Sequence, residues 1–446
     1  MTNDMTKGSP VRLILSFMIP TCLGNIFQQF YNLADSIIAG RYIGVNALAA
    51  IGSTSSLIFL VIGWLNGITS GFAIMVAQSF GAKRYEQMRH YVAMSIYLCM
   101  GFVVVMTSTL LVLNDPILHL MNTPADIIDD TAAYMAIIYG GLLVTAAYNA
   151  FAAVLRALGD GKSPLYFLIV SAVINVALDV VFIVKFHMGV EGCAYATVIA
   201  QGISALLCLI YIIRKFEILR LTKENFAIDF AAMGHLLSIG VPMGLQFSIT
   251  AIGTIIVQGA VNVFGAVYIA GFSAAGKIQN IVCTVFVSFG ATIATYVGQN
   301  RGAGQMERIR KGVRVTQVMI LVWSVVTIGV VGIFGEPLIH IFVEGSQTEV
   351  IQAAKQYFAT VSWCYPFLGS IFLYRNALQG LGYGFMPMMG GVFELIARAI
   401  AVVVAVKLGF GFVGVCAADP AAWIAALLPI VPYYFHVMKK VHGENA

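Results

Sequence analysis

Twenty acidic residues occur in this 446-residue sequence, and only Asp35, Asp179 and Glu394 fall deep inside long apolar segments; Asp419 lies nearer the start of another. A charge at the centre of a membrane helix costs about 2.5–3.5 kcal/mol on insertion scales, so such groups mark sites that bind a proton, a cation or a basic partner. Asn175 precedes Asp179 by four residues, which places its amide on the same helical face, one turn away. Glu394 and Arg398 share that spacing and can pair within one helix. Lys277 stands in a further apolar stretch, where it can neutralise Glu394 or face a polar path. Close carboxylates in a low-dielectric pocket titrate as a coupled pair, and hard cations such as Na⁺ prefer oxygen ligands. This is ion-binding chemistry rather than bond-making chemistry. The seven histidines sit in loops or near helix ends and form no cluster suited to a membrane-embedded transferase. "GDGKS" (159–163) lacks the spacing of a phosphate loop. No catalytic group, metal centre or cofactor is therefore assigned.

The elements that must position these groups are membrane helices. Sixty per cent of residues are hydrophobic, 10% are charged and the mean hydropathy is +0.89, against about 25% charged in soluble domains. Apolar windows predict twelve spans, at 13–38, 48–80, 91–113, 131–156, 164–186, 193–213, 233–263, 268–298, 314–334, 354–379, 386–408 and 412–436. The expected fold is all-α and polytopic, since alternation suited to a barrel is absent. With the N-terminus inside, eighteen Lys and Arg fall in inside loops and four (Arg41, Lys185, Lys355 and Lys407) outside, so both termini are expected to be cytoplasmic. The net charge of +5 therefore belongs to membrane loops and does not point to nucleic acid. The seven cysteines lie in apolar stretches without metal spacing and read as small buried hydrophobes. The polar start runs into a segment too long for a cleavable signal peptide.

The chain repeats itself. "VAQSFGAKRYEQMRH" (76–90) matches "VGQNRGAGQMERIRK" (297–311) at an offset of 221, and "LRALGDGKSPL" (155–165) matches "LQGLGYGFMPM" (378–388) at 223. Pro20 pairs with Pro242. Two six-helix halves follow: an N-lobe over 1–213, a basic linker over 214–232 and a C-lobe over 233–446. Six is even, so this is a parallel repeat, two pseudo-symmetric bundles around a central cleft, an arrangement suited to alternating access.

In "QQFYNLADSIIAGRYIG", "AQSFGAKRYEQ" and "LRALGDGKSP", with equivalents of the last two in the second half, the whole chain resembles the MATE (multidrug and toxic compound extrusion) family of secondary transporters. The resemblance implies two six-helix lobes and export of amphipathic, often cationic, compounds against an inward H⁺ or Na⁺ gradient. It also implies an N-lobe cation site formed by an Asp in helix one, Asn-x-x-x-Asp in helix five and a Thr in helix six; these are Asp35, Asn175, Asp179 and Thr197 here. Bending of helix one at Pro20 on cation binding is a further implication. At the 223 offset Arg398 replaces Asn175, so the second lobe holds an internal cation and departs from relatives that use acidic residues there. Tyr134 and Asn149 are candidate lining of the N-lobe, and Phe30, Tyr31 and Met243 candidate walls for a promiscuous apolar cargo.

The expected function is an antiporter in the cell (plasma or inner) membrane, a monomer, exporting small amphipathic molecules in exchange for H⁺ or Na⁺. A lipid-linked oligosaccharide flippase of the same superfamily is the alternative reading.

Overall fold

A computed structural model describes residues 4–121, 123–343 and 347–443, and their side chains except those of 31–33, 36, 45, 48, 442 and 443. The described residues form helices and turns only. The first half runs α1 (Pro10–Tyr42), α2 (Val45–Ser53), α3 (Ser55–Gly81), α4 (Tyr85–Val112), α5 (Asn114–Leu120), α6 (Ile128–Gly140), α7 (Leu142–Ala157), α8 (Lys162–Val180) and α9 (Gly189–Lys215). The second runs α10 (Phe230–Asn262), α11 (Ala266–Gly302), α12 (Met306–Ile339), α13 (Thr348–Val361), α14 (Tyr365–Gly380), α15 (Phe385–Lys407), α16 (Gly411–Cys416) and α17 (Ala418–Gly443). Helices are what hydrocarbon permits, because each satisfies its own backbone polar groups.

Ten helices are long and apolar enough to cross a bilayer, and α6–α7, bent by 48° at Gly141, makes an eleventh span. The pair α13–α14, interrupted by a 3₁₀ turn over Ser362–Cys364, stands at the equivalent place in the second half and completes twelve. The expected all-α, two-bundle architecture is thus present. Several expected spans differ in being broken: at Thr54, at Gly141, over Ser362–Cys364 and at Ala417. Hydropathy windows average over such breaks and cannot register them.

The turns reproduce the internal repeat in backbone geometry. Positive φ recurs at Gly44 (132°) and Gly265 (93°), at Gly159 (81°) and Gly382 (90°), and at Gly189 (62°) and Gly411 (64°). Lys83 and His187 hold the left-handed conformation that Gly304 and Gly409 hold in the second half. Gly44 and Gly265 each immediately precede a helix, at 132° and 93°, where an L side chain would be strained.

The chain divides into two compact units, Leu23–Gly244 and Met5–Cys22 with Leu245–Ala446. Helices α1 and α10 each contribute to both, and each changes unit two residues after its internal proline, Pro20 or Pro242. The lead-in segments explain this assignment. In the second unit, the Met5 N–H donates to Gln299 Oε1 (2.8 Å), while Asn300 Nδ2 (3.2 Å) and Arg308 Nη2 (3.0 Å) donate to the Met5 carbonyl. In the first unit, His90 Nδ1 bonds the Asn225 carbonyl at 3.1 Å and its Nε2 lies 3.3 Å from Asp229. Asp229 accepts the N–H groups of Ala231 and Ala232 at the start of α10; these bonds, Ala232's foremost, and His90 hold its carboxyl below the usual range. The repeated "VAQSFGAKRYEQMRH" and "VGQNRGAGQMERIRK" segments therefore anchor the lead-in to a first helix.

Within the first unit, α3 and α10 approach through glycines four residues apart. A Cβ on Gly71 would lie 2.5 Å from the Gly240 Cα, and one on Gly67 2.6 Å from the Met243 carbonyl oxygen. Small residues at this spacing let membrane helices meet backbone to backbone. Gly71→Val is expected to destabilise the protein by about 1–3 kcal/mol through overpacking, whereas Gly101→Ala, with open space at its Cβ, leaves it unchanged. Thermal unfolding of the two variants in detergent micelles checks this contrast.

Candidate functional site

Three helices of the first unit deliver the acidic and hydroxyl groups. The second half of α1 carries Asp35, α8 carries Asn175 and Asp179 one turn apart, and α9 carries Thr197. Asn175 and Asp179 are fully buried and Asp35 is 8% exposed. Thr197 Oγ1 donates to Asp35 Oδ2 at 3.3 Å. The Asp35 and Asp179 carboxyl groups are neighbours, close enough to act on one another electrostatically. Directly after Asp179 the helix loosens into a π turn over Val181–Lys185, a distortion found often at functional sites.

What sets this cluster apart is the lack of donors. Among the described residues no group donates to Asp35 Oδ1 or to either oxygen of Asp179, and both amide atoms of Asn175 are buried without partners. Among the described residues no Lys, Arg or His pairs with either carboxylate. Two carboxylates are acceptors only, so a bond between them requires a shared proton, or a cation between them. Buried polar atoms without partners are costly, and here all of them are oxygen-rich or amide groups in one place. Carboxylate oxygens, the Asn175 carbonyl and the Thr197 hydroxyl make a donor set that fits a proton or a small hard cation.

Other expected residues divide. Tyr134 on α6 is buried within electrostatic reach of both carboxylates. Cys193, one turn before Thr197 on α9, has the same reach; that four-residue spacing was the signal for it in the sequence. Asn149 is buried on α7 with its Nδ2 unpartnered and makes no hydrogen bond to the carboxylates among the described residues. Phe30 is 62% exposed, whereas Met243 is buried on α10 with its carbonyl against Gly67. The side chain of Tyr31 lies outside the described residues. Pro20 is buried in the portion of α1 that belongs to the second unit.

The second unit treats its charges differently. Glu394 accepts from Arg398 Nη2 and from Arg375 Nη2, both at 3.1 Å, and Arg398 Nε donates to Asp419 Oδ1 at 3.0 Å. The expected Glu394–Arg398 pair is present. Lys277 does not neutralise Glu394: its Nζ lies 5.2 Å from the centre of the Phe342 ring, and two guanidiniums already occupy the carboxylate. Arg375 escaped the sequence reading. The sequence did mark it, since the loops account for twenty-two of the 25 basic residues and leave Lys277, Arg375 and Arg398 within spans.

Comparison with known proteins adds the following. The MatE family model matches residues 20–181 and 242–415, once in each half. The chain is 28% identical over 98% of its length to "Probable multidrug resistance protein YoeA" of Bacillus subtilis (strain 168), covering 96% of that protein. It is 29% identical over 85% of its length to "Probable multidrug resistance protein YpnP" of the same organism, covering 84% of it. Among solved structures, "Crystal structure of MATE in the bent conformation" superposes with a TM-score of 0.92 at 19% identity, covering 99% of this chain and 98% of that one. At that identity the match speaks for the fold.

Asp179→Asn removes one of two facing carboxylates and should not destabilise the fold at neutral pH without Na⁺. The variant is expected to lose whatever rise in unfolding temperature the parent protein gains from acid or from Na⁺. A variant as responsive as its parent would place cation binding elsewhere.

Proposed function

Since this chain belongs to the MatE family of multidrug efflux transporters, we propose that it is a secondary antiporter, exporting small amphipathic, cationic molecules in exchange for a cation by alternating access. Its relatives are membrane transporters, and their printed names point to drug resistance. One observation carries the coupling half of this reading: Asp35 and Asp179 face each other, buried, with no basic partner among the described residues. Such a pair changes its charge only by taking up a cation, so its occupancy follows the gradient across the membrane.

Asp35, Asn175, Asp179 and Thr197 are the proposed coupling residues, with Tyr134 against them. The favoured ion is H⁺, because a proton shared between two carboxyl groups needs no further ligands. Na⁺ is the alternative, since amide and hydroxyl oxygens stand at the same place. Cation uptake and cargo binding compete in this scheme, so an inward gradient drives cargo release outward. The basic loops favour cytoplasmic termini. The many Met and aromatic residues of the chain, with Tyr134 beside the carboxylates, suit apolar ligands of varied shape.

The deciding experiment imposes ΔpH and a Na⁺ gradient separately on proteoliposomes and follows efflux of a fluorescent lipophilic cation. Transport is expected to follow ΔpH, and Asp35→Asn should remain folded while losing gradient-driven export. Transport indifferent to both gradients would point to a flippase or a uniporter. Normal export by Asp35→Asn would remove the proposed role of the carboxylate pair.

A further inference from the structure

The two halves carry the same positions with different chemistry. At offsets of 222–223, Asn175 corresponds to Arg398, Thr197 to Asp419, Tyr134 to Tyr357 and Cys193 to Cys416. In the first unit these positions lie near two carboxylates that have no basic partner among the described residues. In the second, Arg398 Nε donates to Asp419 at 3.0 Å and its Nη2 to Glu394 at 3.1 Å, while the Tyr357 hydroxyl lies 3.5 Å from the other Asp419 oxygen. Arg375 closes the far side of Glu394 at 3.1 Å. Three of these groups are buried and the fourth is partly so: side-chain exposure is 4% for Arg398, 5% for Arg375, 8% for Glu394 and 15% for Asp419.

The backbone makes room for the guanidinium. A Cβ on Gly253 of α10 would stand 2.4 Å from Arg398 Nη1, so a larger residue there would make the guanidinium shift. The charge count differs between halves as well. Glu394 and Asp419 are balanced by Arg375 and Arg398 within the same unit, whereas among the described residues no basic side chain pairs with Asp35 or Asp179.

We propose that this network is a second cation site of the fold, permanently filled by the guanidinium of Arg398, so that the transporter couples to one external cation, bound in the first unit. A tethered guanidinium cannot dissociate and keeps its charge at any physiological pH, so the site cannot respond to a gradient. The coupling clause rests on the reading of the first unit as the cation site; the occupancy of the second site by Arg398 does not.

Removing the tethered cation should open the site. With Asp35→Asn as background, thermal unfolding is compared for D35N and D35N/R398N in NaCl against choline chloride, and at neutral against acidic pH. The groups facing Arg398 are Glu394 on its own helix, Asp419 on α17 and Tyr357 on α13; beyond Glu394 stands Arg375 on α14. The double variant is expected to gain a rise in unfolding temperature with Na⁺ or acid that D35N lacks. A folded double variant with the same response as D35N overturns the proposal. A response persisting in D35N alone counts against the first-unit reading and leaves the difference between the two variants readable. Should R398N fail to fold under every condition, R398K and R398M decide in the same D35N background. The ammonium must preserve the fold and the indifference of D35N to Na⁺ and acid, the thioether must not, and equal loss in both overturns the proposal.

Discussion

In the proposed antiport scheme, function depends on two carboxylates that repel one another in a medium unable to screen them. Like charges close together in a low-dielectric medium repel strongly, and Asp35 and Asp179 are neighbours without a basic partner among the described residues. In the proposed scheme that repulsion makes the site responsive: a proton or small cation relieves it, and the neighbouring Asn175 and Thr197 take part in the exchange. A Lys or Arg in the same place would satisfy the carboxylates and silence them. The second unit shows that alternative, with Arg398 held between Glu394 and Asp419.

The duplication is kept where the backbone is constrained and relaxed where side chains do chemistry. Left-handed turns recur at Gly44 and Gly265, Gly159 and Gly382, and Gly189 and Gly411, because the chain must leave and re-enter the hydrocarbon at matching points in each half. The broken spans α6–α7 and α13–α14 recur for the same reason. Side chains at equivalent positions have diverged from Asn to Arg and from Thr to Asp. On the proposals made above, one scaffold thereby carries a site that can exchange its cation and one that cannot.

Helices α1 and α10 bind this chemistry to the fold. Each is a single rod whose two ends belong to different units, and each changes unit just beyond a proline. Proline removes one backbone hydrogen bond and allows a bend, so the place where each helix changes unit is also where it is softest. Asp35 sits fifteen residues beyond Pro20 on the same helix, which ties any change in its charge to an element shared by both units.

By itself the sequence determined the class of fold, the spans, the repeat and the short list of intramembrane charges. Those features are local or periodic: hydropathy is summed over about twenty residues, and motif matches need only an offset. The Glu394–Arg398 pair was legible for that reason, being four residues apart on one helix. The breaks at Thr54 and Gly141 were not, since a change of direction leaves apolar composition untouched. Only the tertiary structure decided which charges meet. Asp35 faces Asp179 across 144 residues of chain, Arg375 reaches Glu394 from a different helix, and Lys277 rests on Phe342 rather than on Glu394. Electrostatic partnership depends on distances of a few ångströms between helices, and helical periodicity fixes the face a side chain occupies but not the neighbour that face will find.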